Sequence, residues 1–83
     1  MEHVTAEVFI PATGMQYDFR LPAEGLVGEI ALQMAQALES AEHNIAFDRE
    51  NLMLCCRDTR DILTNEATVV QCGIMDGHRL MLL

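Results

Sequence analysis

The sequence predicts an α+β domain in which a mixed sheet of four to five strands packs on one helix. Three patterns carry that expectation: apolar residues alternate with period 2 through position 21, one apolar stripe of period four follows over 26–40, and short alternating segments return in the second half. At 83 residues the chain has room for one small core, so residues 1–83 are expected to form a single domain. Hydrophobic residues make up 51% of it, with one Tyr, three Phe and no Trp, so that core is aliphatic.

The elements follow in order. Val4, Ala6, Val8 and Ile10 alternate with Thr5, Glu7 and Phe9, which describes a strand with one buried face and leaves Phe9 on the other. Pro11-Ala12-Thr13-Gly14 makes a turn, and Met15, Tyr17, Phe19 and Leu21 then alternate with polar residues, completing an antiparallel hairpin that Pro22 closes. Leu26, Ile30, Met34 and Leu38 form one helical stripe, so a helix is expected over 26–40, with Gly25 as its cap and Gly28 weakening its first turn. Residues 41–51 read as a polar loop pinned by Ile45, Ala46 and Phe47. A third strand is expected at Leu52–Cys56 and a short one at Ile62-Leu63. Thr68–Cys72 fits one tight helical turn ended by Gly73, and Asp76-Gly77 turns the chain into a final strand in which Leu80 and Leu82 face the core.

Charge narrows the function. The formal net charge is −8, from 13 acids against five bases, all of them Arg, so the clustered cations that bind nucleic acid are missing. The acidity serves solubility; a basic partner surface is the alternative. The longest apolar run falls well short of the roughly 18 residues of a membrane helix, and Met1-Glu2-His3 does not begin a signal peptide. Three Cys, two of them adjacent, make a poor disulfide framework and fit a reducing compartment, so a cytoplasmic location is expected.

The element order resembles the β-grasp of ubiquitin over almost the whole chain. Within that superfamily the sequence is similar to the YukD/EsaB group of bacterial ubiquitin-like proteins associated with type VII secretion. The carrying residues are the hairpin with Gly14 in its turn, the spacing from Ile62-Leu63 through Val69 to Cys72-Gly73-Ile74, and Asp76-Gly77 followed by Arg79-Leu80. The chain departs from that group at His78, where an acid is usual, and at Val69, near a usual Leu. The resemblance implies a non-enzymatic accessory or regulatory module that docks on a membrane secretion machine at its cytoplasmic face.

Conjugation or sulfur carriage needs a diglycine tail, and Leu82-Leu83 does not supply one; a modifier or sulfur carrier whose tail lies outside this sequence is the alternative. β-Grasp ferredoxins hold their cluster through four thiolates, more than this chain has. Cys55 or Cys56 with Cys72 and His78 could be imagined around zinc, but there is no C-x-x-C pair, and alternation sends Cys55 and Cys56 to opposite faces. His3, His43 and His78 lie apart with no nucleophile beside them. No catalytic residue, cofactor or metal is therefore expected.

What remains is a surface. If the alternating aliphatics face the helix, then Phe9, Met53, Met81 and Leu83 adjoin on the open side of the sheet, because the β-grasp places the final strand between the first and the third. This apolar patch, with Glu7 and Arg79 as its polar members, is the expected protein-binding site. Self-association through the same face is a further possibility.

Overall fold

A computed structural model describes residues 2–42 and 45–83; His43 lies outside them. Strands β1 (His3–Ile10) and β2 (Met15–Pro22) form the hairpin, helix α1 (Val27–Ala41) follows, and β3 (Leu54–Cys56), β4 (Asp61–Ile62) and β5 (Arg79–Leu82) complete a mixed sheet of order β2-β1-β5-β3-β4. β5 runs parallel to β1, with Val8 opposite Leu80, and antiparallel to β3, with Leu54 opposite Leu82. The final strand therefore sits at the centre, as expected.

One face of this sheet builds the core. Ala6, Val8, Ile10, Leu54, Cys56, Leu80 and Leu82 are each exposed by 1% or less and meet the buried helix side chains Val27, Ile30, Ala31, Met34 and Leu38 in one cluster. The expected alternation of β2 is graded rather than uniform. Leu21 is buried, Tyr17 and Phe19 are half-buried, and Met15 is 48% exposed, because β2 is an edge strand whose inner face is only partly covered.

The helix begins one residue later than its stripe implied. Leu26 is extended, pairs with Thr68 in an isolated bridge and is exposed, while Val27 takes the buried position. Gly25 is not the cap, and no side chain caps this end. Instead the Val27 and Gly28 amides donate to the carbonyls of Ala67 (2.9 Å) and Asn65 (3.0 Å), so a distant loop satisfies groups that a helix leaves open. This explains Gly28, whose missing side chain lets Asn65 approach: a Cβ there would stand 3.1 Å from that of Asn65. At the other end the Tyr17 hydroxyl donates to Glu42, and the Phe47 amide donates to Glu39. Phe47 packs on the core as the pin of its loop, whereas Ala46 is exposed.

The third strand is shorter than read, Leu54–Cys56, yet Met53 and Leu83 exchange backbone bonds of 3.4 and 2.9 Å and carry the ladder one step further. The short strand is Asp61–Ile62, with Leu63 tied to Leu54 through its amide. Thr68 and Gln71 cap one another, each side chain accepting the other's backbone N–H, around a single turn that buries Val69. The turn before β5 is fastened to β1. Asp76 accepts the Thr5 amide at 2.8 Å, Gly77 donates to the Thr5 carbonyl, and Glu7 donates to the carbonyl of His78. Gly77 takes φ +86°, which a side chain would strain, and Nδ1 of His78 accepts the Met75 amide.

The two faces of β5 predict opposite mutational costs. Leu80→Ala should lower unfolding free energy by about 2–5 kcal/mol, whereas Met81→Ala, one residue on, should cost less than about 1 kcal/mol, both read from urea denaturation.

Candidate docking face

The open side of the sheet is ordered by register. Phe9 pairs with Met81, Met81 with Cys55, and Cys55 with Ile62, which puts four side chains from β1, β5, β3 and β4 in one transverse row. Met53 and Leu83 sit one step along, where the backbones bond, and are 37% and 48% exposed. Ile62 is 64% exposed, so the row becomes more open toward β4. Burial pushes the Cys55 thiol above its ordinary range, so it stays protonated and acts as a small apolar member.

A second row, of charges, runs alongside. Glu7 pairs with Arg79 across β1 and β5, and the Arg79 guanidinium is held by Asp58 through contacts of 3.0 and 3.2 Å. Asp58 also accepts the Arg79 amide at 2.6 Å; that bond, then the guanidinium, holds its carboxyl below the usual carboxylate range. The Arg57 amide donates to the Arg79 carbonyl at 2.7 Å, and the Arg57 guanidinium reaches over the Phe9 ring, 5.3 Å from its centroid. Between β5, β3 and β4 lies a depression of about 370 Å³, lined by Met81, Cys55, Cys56 and Ile62, with Arg57, Arg60 and Asp61. Arg60 has φ +63°, the left-handed position after a turn that glycine usually fills.

The charge is unevenly divided. Four of the five arginines, Arg20, Arg57, Arg60 and Arg79, belong to the open face or its β3–β4 rim, together with only four of the 13 acids, Glu7, Asp18, Asp58 and Asp61. This side is thus balanced, and the net charge of −8 is carried by the rest of the chain. Among the described residues no group of three or more His, Cys, Asp or Glu could hold a metal ion.

All six site residues read from the sequence lie on this face, in the arrangement that strand parity required. Phe9 and Met81 pair directly, Met53 and Leu83 adjoin them, and Glu7 pairs with Arg79. Sequence reasoning missed four others. Parity had already turned Cys55 outward, which was the signal for including it. Ile62 depended on the β3–β4 register, while Arg57 and Asp58 depended on side-chain reach across strands; no local pattern encodes either.

This sheet, helix and open face define a ubiquitin-like β-grasp domain. The structure is similar to the EccD5 ubiquitin-like domain from Mycobacterium xenopi, at 16% identity and a TM-score of 0.72, covering 100% of this chain and 94% of that one. A ubiquitin of Caldiarchaeum subterraneum is similar at 13% identity and a TM-score of 0.75, over 98% of this chain and 91% of that one. Part of the MycP5-free ESX-5 inner membrane complex is similar at 20% identity and a TM-score of 0.80, over 100% of this chain but 21% of that one. At these identities the likeness is one of fold. No curated protein matches the chain. A family model described as WXG100 protein secretion system (Wss), protein YukD, matches residues 3–82. The chain belongs to the YukD family, a component family of that secretion system.

Because the folded carboxyl of Asp58 titrates below its unfolded range, its contribution to stability is complete above the ordinary carboxylate range and is lost as the pH falls through the lowered value. Thermal melts at decreasing pH should therefore show a destabilisation that is shallower in Asp58→Asn; Glu39, lowered by Arg49 and then by the Phe47 amide, sustains the remaining slope.

Proposed function

We propose that this chain acts as one non-enzymatic ubiquitin-like domain, an accessory or regulatory component of the WXG100 secretion system, and that it works by docking a protein partner on its open sheet face. Family membership supplies the link to secretion. The site is carried by one observation: Phe9, Met81, Cys55 and Ile62, from four different strands, align in a single apolar row on the side of the sheet away from the helix. No helix among the described residues is long and apolar enough to cross a membrane. In this reading the docking contact is what joins the domain to a membrane machine. A cytoplasmic position is part of the same reading. It is supported by the similar domain found within an inner membrane complex.

Replacing Met53 and Met81 together by Asp puts two carboxylates into the row while leaving the inner face intact. In a host whose own copy is deleted, the wild-type chain should restore secretion of WXG100 proteins and the double variant should not, although its melting curve shows that it folds. Equal secretion with both would overturn the docking reading.

A further inference from the structure

The next step rests on that docking reading and concerns the chemistry of what docks. We propose that the partner presents an acidic segment, with one large apolar side chain seated in the depression between β5, β3 and β4 and flanking carboxylates bound by Arg57 and Arg60.

The shape argument is local. The apolar lining of the depression is Met81, Cys55, Cys56 and Ile62, and its volume of about 370 Å³ has room for a large side chain. Arg57 and Arg60 stand at its margin beside the single carboxylate Asp61, so an apolar anchor entering it brings its neighbours within reach of two guanidinium groups.

Those guanidiniums are available. Arg79 is already engaged by Asp58 and serves as a fixed part of the frame. Arg57 and Arg60 have no ion pair among the described residues. Arg57 instead covers the half-buried Phe9 ring, a contact of modest strength that an exposed guanidinium can exchange for a charge-assisted hydrogen bond to a carboxylate. Its departure would also uncover the ring for the incoming segment. Arg60 holds a left-handed backbone where glycine would be unstrained, and no internal ion pair among the described residues compensates it, which fits a side chain kept for an external ligand.

The charge distribution selects the same partner. The other nine acids and one arginine belong to the rest of the chain, so a basic segment finds its stronger attraction there, while an acidic one meets the least net repulsion at this balanced side. Complementarity therefore favours carboxylates here.

The test uses two 12-residue amphipathic peptides with the same leucines, one bearing Glu and the other Lys at the flanking positions, titrated into the isotopically labelled full chain. The Glu peptide should shift the amide signals of Met81, Cys55 and Ile62 and the side-chain Nε signals of Arg57 and Arg60. Reversing both arginines, Arg57→Glu with Arg60→Glu, should weaken it about tenfold. Arg60→Gly should also weaken binding while melting at the same or a higher temperature, an outcome that a purely structural role for Arg60 would not produce. Equal binding of the Lys peptide, binding of neither, unchanged affinity in the reversed variant, or concentration-dependent shifts of the wild-type chain alone, which would make a second copy the occupant, each overturn the proposal. The secretion assay separates the two readings. If the methionine variant fails and the arginine variant secretes normally, docking stands and the acidic partner falls; if both secrete normally, docking falls as well.

Discussion

Everything in this molecule depends on β5 entering the sheet between β1 and β3. Leu80 and Leu82 close the core on one side of that strand, and Met81 joins Phe9 to Cys55 on the other. Because side chains alternate strictly along a strand, one register fixes both results, and a slip of a single residue would bury Met81 and expose two leucines. The fastenings ahead of the strand are consistent with that demand. Asp76, Gly77 and His78 are all bonded to β1 before the first residue of β5 pairs, so the register is set at the turn.

The helix depends on tertiary structure in a similar way. Its first amides have no capping side chain and are satisfied by carbonyls about forty residues later in the chain. A helix of 15 residues is marginal in isolation, and this one also lacks the local signal that would start it. Its N-terminal end therefore becomes favourable only when the loop around Asn65 and Ala67 is in place. That ties the two halves of the chain into one cooperative unit.

How much of this could be read in advance follows from the range of each interaction. The hairpin, the helix and the last strand were legible because alternation and period four are written into neighbouring residues, and parity alone assigns Phe9, Met53, Met81 and Leu83 to one face. The true start of α1 was not legible, since Leu26 fits the stripe as well as Val27 does and the choice is made by a bridge to Thr68. For the same reason Arg57 passed unnoticed: its stacking over Phe9 crosses an intervening strand. The capping of Thr68 by Gln71 was visible in principle, as a Thr and a Gln three residues apart, but it serves a single turn and stands out only once that turn is seen to bury Val69.

The uneven division of charge gives the domain an electrical orientation as well as a shape. A molecule whose excess of eight negative charges lies away from one balanced face is a dipole, and it turns in the field of any charged surface before it touches it. Near an anionic body it approaches sheet first, with the helix side held outward. Many encounters that would otherwise be spent in the wrong orientation are thus corrected at a distance of about a Debye length, roughly 8 Å at physiological salt, and that aid fades as salt is added.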